Sequence, residues 1–227
     1  MSNIHMDDFM NQDRCLDSSG FVLVADVIPD AILDIRYYSA FNFVGTRIDF
    51  YEAPVAYLTK EAALALKGAG EDLKKQGYLI KIFDTYRPQS AVDHFKRWVQ
   101  DLDANDMKAY FYPDVEKSVL FESGYISEKS SHSRGAAVDL TLVDMKTGKE
   151  VDMGSTFDYF GEISHSAHTE GLTEEQIHNR AILRNAMVEN GFRTIMTEWW
   201  HFMLKEEPYP DTYFDFPVTA VKSDQNE

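Results

Sequence analysis

The chain predicts an α+β fold: one domain, with a mostly antiparallel central sheet flanked by helices. Three observations carry this. Strand-like and helix-like segments follow one another in irregular order, not as repeating βαβ units. The 227 residues, 44% hydrophobic and 13% aromatic, are enough to bury a sizeable core. No internal repeat or low-complexity linker divides them.

Residues 1–19 read as a loose polar leader and 221–227 as a frayed tail, which leaves 20–220 as the folded unit. "FVLVADV" (21–27) is valine-rich and ended by Pro29, and predicts a first strand. "TKEAALALKGAGEDLKKQG" (59–77) places apolar residues at 62, 63, 66, 69 and 73 and closes on Gly77, the pattern of a helix. "YLIKIFD" (78–84) alternates as a strand does. Pro88 suits the first turn of a following helix, whose Ala91, Val92, Phe95, Trp98 and Val99 form one stripe. "AAVDLTLVD" (136–144) predicts a strand, closed by a turn around Thr147–Gly148. Thr173 and Gln176 form a capping box for a helix to about Asn190, with Gly191 as its stop. "FRTIMTEWWHFML" (192–204) is β-branched and aromatic enough for a last strand.

The formal net charge of −16 disfavours nucleic acid and anionic membrane as partners, since both carry phosphate charge. Cys15 is the only cysteine, which excludes an intrachain disulfide and a cysteine-based zinc site. The polar, acidic start "MSNIHMDDFMNQDRC" is unlike a secretory signal, and no apolar stretch approaches membrane-spanning length. Both features predict a cytoplasmic protein.

Chemistry concentrates in two short stretches, "SSHSRGAAVD" (130–139) and "EWWH" (198–201). His132, Asp139 and His201 offer the imidazole and carboxylate donors that zinc prefers, with a fourth position left for water. Gly135 and the alanines between the first two leave the backbone free to approach closely. One zinc ion per chain, in a cleft on the sheet, is the expectation. Glu198 is then the general base, taking a proton from a zinc-bound water and passing it to the departing amine. In a regular strand Glu198 and His201 point to opposite faces, so the segment must bulge, turn or end there. Trp199 and Trp200 read as core, with one of them walling the pocket. His165 and His168 form a rival pair without a base, and read as bystanders near the rim. Arg87, in "DTYRP" (84–88), leaves an extended strand end before Pro88, and could stabilise an oxyanion.

The patterns SxHxxGxAxD (130–139) and ExWH (198–201) resemble the zinc signature of the VanX-type D-alanyl-D-alanine dipeptidases, of the M15 peptidases. "LDIRY", "DTYRP", "KSSHSRGAAVDLTL", "MGSTFDYF" and "EWWHFMLKEEPYPDTYFDFPV" resemble segments of that family in the same order, over most of 21–218. The resemblance implies a cytoplasmic hydrolase that cleaves D-alanyl-D-alanine, a peptidoglycan dipeptide, into two D-alanines. It implies His132, Asp139 and His201 as zinc ligands, Glu198 as base and Arg87 at the transition state. Ser130 and Tyr51 are implied near the terminal carboxylate, Asp158 at the free ammonium and Tyr37 in the pocket wall. Two alternatives stand beside this: a D,D- or L,D-carboxypeptidase acting on longer peptidoglycan peptides, and a zinc-bearing interaction module without turnover.

Overall fold

The computed structural model describes residues 14–120, 124–127 and 129–220. Its main sheet has five strands in the order β3-β5-β6-β8-β7, with β3 parallel to β5 and the other three pairings antiparallel. In chain order, β1 is Arg14–Cys15, β2 Phe21–Leu23, α1 Val24–Val27, β3 Ile32–Leu33 and β4 Tyr57–Thr59. There follow α2 (Lys60–Lys75), β5 (Tyr78–Asp84), α3 (Gln89–Gln100), α4 (Lys108–Phe111), β6 (Ala137–Asp144), α5 (Glu174–Glu189), β7 (Phe192–Thr194), β8 (His201–Leu204) and β9 (Tyr213–Phe214). Two small pairs, β1-β9 and β2-β4, complete the strands.

The helices form where the periodicity requires them. Thr59 caps α2 by accepting from the Ala62 amide, and Ala62, Ala63, Leu66, Ala69 and Leu73 are buried on one face. The capping box of α5 is present in both directions. These two helices pack on each other, α2 against β5 and α5 against β7. Val138, Leu140 and Leu142 of β6 are fully buried, while alternation turns Asp139 and Thr141 to the opposite face. That second face is covered by aromatics, among them Tyr37, Phe43, Phe95 and Phe160, whose rings meet at 4.9 to 6.0 Å. Among the described residues no helix is long and apolar enough to cross a membrane.

Two elements depart from expectation. "FVLVADV" is not one strand: β2 pairs with β4 only through Leu23, and the chain then closes into a single helical turn, with the Ile28 amide donating to the Val24 carbonyl. Among the described residues no strand continues the ladder past the bond from the Val24 amide to the Ala56 carbonyl, so the backbone then satisfies itself. "FRTIMTEWWHFML" is a hairpin, β7 and β8, with 195–200 as its connection. The start of the chain also differs. Within the expected leader, β1 pairs in parallel with β9, and Arg14 donates to Asp215, Asp93 and Ser90. Residues 1–13 and the tail 221–227 lie outside the described residues.

Candidate active site

Three strands bring three side chains into one row. Asp139 on β6 stands opposite Asp84 at the end of β5 on one side and His201, the first residue of β8, on the other. A register shift between Ile82 and Asp84 aligns Asp84 with that row. His132 arrives from a 3₁₀ turn, Ser131–Arg134, just before β6. Ser130 caps the turn by accepting from the His132 amide at 3.2 Å, and Gly135 ends it in the left-handed region at φ 77°. A Cβ at 135 would collide with the Phe21 ring, so only glycine lets the turn close against β2.

The two histidines are fixed from behind. His132 Nδ1 is 2.6 Å from the Thr85 carbonyl, which can only accept, so Nδ1 carries the proton and Nε2 presents a lone pair. His201 turns Nδ1 inward, and its Nε2 lies 3.1 Å from Ser131 Oγ, which can accept from it in the tautomer that leaves Nδ1 a lone pair. The inward atoms meet: His132 Nε2 lies 3.1 Å from His201 Nδ1 and 3.1 Å from Asp139 Oδ2, and His201 Nδ1 lies 2.9 Å from Asp139 Oδ1. All three ligand atoms fall within 4.8 Å of one another. In a tetrahedral zinc site with bonds of about 2.0–2.1 Å, donors stand about 3.3 Å apart. Two outer nitrogens already engaged, and two inner lone pairs beside a carboxylate, form a donor set that fits zinc. Burial alone would push the Asp139 carboxyl up, but the two imidazoles hold it below the usual carboxylate range, as an anion.

Glu198 sits in the hairpin connection, three residues before His201, with Oε2 3.8 Å from His201 Nδ1. The connection is pinned by Ser166, whose hydroxyl reaches the carbonyls of Ile195 (2.6 Å) and Glu198 (2.9 Å). The turn required by the sequence at this point is therefore present, and it brings Glu198 and His201 to one side. Burial pushes the Glu198 carboxyl up to about 8.

Arg87 projects from the end of β5. Its Nε and Nη2 donate to Asp84 Oδ2 at 2.9 Å each, its Nη2 lies 3.7 Å from Asp139 Oδ2, and the guanidinium packs over the Tyr37 and Phe95 rings. Asp158 follows the loop after β6 and adopts φ 60°, a left-handed conformation uncommon for a non-glycine residue. Its Oδ2 accepts from Tyr37 Oη at 2.9 Å, and burial with the nearby Asp139 charge pushes its carboxyl up to about 8. The buried Arg180 of α5 holds that loop by donating to the carbonyls of Met153 (2.6 Å) and Ile163 (2.9 Å).

His132, Asp139, His201, Glu198, Arg87, Asp158, Tyr37 and Ser130 all line one cavity of about 310 Å³. Tyr51 does not. Its hydroxyl donates to Asp84 Oδ1 at 2.6 Å and its ring is buried, so a carboxylate in the cavity is out of its reach. Neither tryptophan walls this cavity: Trp200 packs on Phe157 and Trp199, and Trp199 borders a neighbouring one of about 420 Å³. His165 and His168 stand outside the ligand cluster, the first against Tyr125 Oη and the second against the Glu170 carbonyl. Sequence reasoning passed over Asp84 and Ser131. The acid three residues before Arg87 was the signal for the first, and nothing local marked the second.

A family model described as D-ala-D-ala dipeptidase, of the M15 peptidases, matches residues 17–219. A D-alanyl-D-alanine dipeptidase of Enterococcus faecalis is 42% identical over 202 residues, covering 88% of this chain and 99% of that protein. Proteins of the same name from Enterococcus faecium and Streptomyces coelicolor are each 40% identical, over 88% and 87% of this chain and 98% of their own length.

Proposed function

The chain belongs to the D-Ala-D-Ala dipeptidase family of M15 peptidases, and from that premise we propose how its residues hydrolyse D-alanyl-D-alanine to two D-alanines. The enzyme is a zinc metallopeptidase, and His132, Asp139 and His201 would hold the ion. Bound there, zinc would supply a Lewis acid that acidifies water and polarises the scissile carbonyl.

The protein's own groups do the rest. Glu198 takes a proton from the attacking water and hands it to the departing amine, from a position 3.8 Å from the proposed ligand His201. Arg87, held by Asp84 and covered by two aromatic rings, donates to the carbonyl oxygen as negative charge gathers on it. Asp158, with Tyr37 on its carboxylate, receives the ammonium of the dipeptide, since a buried ammonium needs an opposite charge. The Ser130 hydroxyl faces the other end. The proposed catalytic unit is residues 20–220 with β1 (Arg14–Cys15) packed onto it, in the cytoplasm.

The observation that carries this reading is the convergence of two histidines and an aspartate within 4.8 Å, beside a buried glutamate. The test is zinc analysis paired with hydrolysis of D-Ala-D-Ala, L-Ala-L-Ala and a D-Ala-terminated pentapeptide. One equivalent of zinc and turnover of the D,D-dipeptide alone is expected. Faster cleavage of the pentapeptide would make the protein a carboxypeptidase, and bound zinc without any turnover would make it an interaction module. Three relatives bearing the dipeptidase name give no support to either alternative.

A further inference from the structure

Glu198 and Asp158 are joined, outside the lining of the cavity, through one buried serine. Ser164 ends the 3₁₀ turn Glu162–Ser164 and is fully buried. Its hydroxyl donates to the Tyr159 carbonyl at 2.6 Å, one residue past Asp158. Its own carbonyl accepts from the Trp199 amide at 2.9 Å, one residue past Glu198. Two positions on, the Ser166 hydroxyl lies 2.9 Å from the Glu198 carbonyl. The peptide unit between Glu198 and Trp199 is therefore gripped at its N–H and at its C=O by one short segment, 164–166.

A second tie runs between the same places through side chains. The Trp199 indole N–H donates to Ser155 Oγ at 2.9 Å, and Ser155 Oγ lies 2.9 Å from Ser164 Oγ. The single Ser164 hydroxyl proton goes to Tyr159, so the Ser155 hydroxyl must be the donor to Ser164. Every bond then points one way: Trp199 to Ser155, Ser155 to Ser164, Ser164 to Tyr159. In such a chain each bond polarises the next, and removing the Ser164 hydroxyl strands a donor on one side and an acceptor on the other. Arg180 backs both segments through the Met153 and Ile163 carbonyls. Ser155, Ser164 and Trp199 do not line the cavity, so their part is to place residues that do.

We propose that Ser164 is a positioning residue that couples the ammonium pocket to the base. Asp158 stands in the left-handed region at φ 60°, a costly conformation that an ion pair with the substrate's ammonium helps to hold. Ser164 passes that constraint from the Asp158–Tyr159 segment to the Glu198–Trp199 peptide. A free amino terminus on the substrate then raises the rate of hydrolysis as well as the affinity. This coupling rests on the dipeptidase reading for its substrate and its base.

A double-mutant cycle on kcat tests it. Ser164→Ala, Asp158→Asn and the two together are assayed with saturating D-Ala-D-Ala, and zinc content is checked in each. Ser164→Ala should lower kcat about tenfold and change KM less than about twofold. Added to Asp158→Asn, it should lower kcat by less than about twofold more. Ser155→Ala, at a half-buried position, covers the case in which Ser164→Ala folds poorly, and should show the same pattern at about threefold. A serine that merely supports the fold would lower kcat equally with and without Asp158→Asn, and that result would overturn the coupling. Hydrogen exchange at the Trp199 amide reads the same link without turnover. In zinc-loaded Glu198→Gln protein, saturating D-Ala-D-Ala should slow that exchange at least about fivefold, and adding Ser164→Ala should remove the slowing. No slowing in either protein, or equal slowing in both, would overturn the coupling. Slowing that needs Ser164, in a parent protein that fails to hydrolyse D-Ala-D-Ala, would keep the coupling and remove the dipeptidase reading.

Discussion

The strand row beside the ligand cluster and the residues proposed for substrate recognition are built by opposite means. Asp84, Asp139 and His201 occupy facing positions on three hydrogen-bonded strands, so the ladder itself sets their spacing. Asp158, Tyr37 and Ser130 stand on irregular backbone: a left-handed residue, a 3₁₀ turn and a cap. The contrast shows where this chain needs rigidity. Donor atoms must be placed to within a fraction of an ångström to hold an ion; the sheet supplies that for Asp139 and His201, and the Thr85 carbonyl fixes His132 on its turn. A substrate's ends can be met by loops, provided something such as Arg180 holds the loop.

If the cluster of His132, Asp139 and His201 is the seat of the chemistry, its loss should cost the most. His132→Ala should abolish zinc binding and activity together, measured by metal analysis and by D-alanine release. Glu198→Ala should keep its zinc and lose about 10²–10⁴-fold in kcat, and a variant as active as the parent would remove Glu198 from the mechanism.

Next comes Asp84, the member of the row that is not in the ligand cluster. Asp84→Asn breaks the buried bond to Arg87, and should lower stability by about 3–5 kcal/mol in denaturant unfolding. It should also lower kcat/KM by about 10–100-fold, with zinc content retained.

A loop residue should act on recognition instead. Asp158→Asn should raise KM for the zwitterionic dipeptide more than for its N-acetyl form. Burial pushes the Asp158 carboxyl up to about 8, and it must shed its proton to receive an ammonium. In the parent, kcat/KM should therefore climb as pH rises toward about 8. Stability runs the other way. The contribution of a raised carboxyl is full below its unfolded value of about 4 and is lost as pH rises through about 8. The asparagine variant should flatten both slopes, and an unchanged pH profile would detach Asp158 from the ammonium. Smallest of all, Thr173→Ala removes the cap of α5 at a residue that does not line the cavity. It should cost about 1 kcal/mol of stability and leave turnover as it was.

Much of this architecture was legible in the residues, and the exceptions share a cause. The amphipathic helices at 60–75 and 174–189 announce themselves by spacing and capping, because those signals are local. The strand expected over 192–204 is a hairpin because Glu198 and His201 must share one side, a demand the sequence stated as a conflict of periodicity before the turn was visible. At 21–27 the valine pattern is correct for a strand, yet the pairing partner ends at Tyr57, and absence of a neighbour is not a local property. His132, Asp139 and His201 could be picked out by residue type and spacing. Asp84 and Ser131 could not, since each matters only through a group many positions away: Tyr51, His201.

Arg14 lies outside the stretch shared with the family, which begins at 17, yet it reaches across 201 positions to Asp215 and on to Asp93. Asp215 in turn accepts from the amide and hydroxyl of Ser90, three residues past Arg87. Trimming the gene to the stretch that the family model matches would thus leave a sunken carboxylate without its cation at the root of the very helix that follows Arg87. Whoever picks the start codon for expressing this protein is also setting how firmly that arginine is moored.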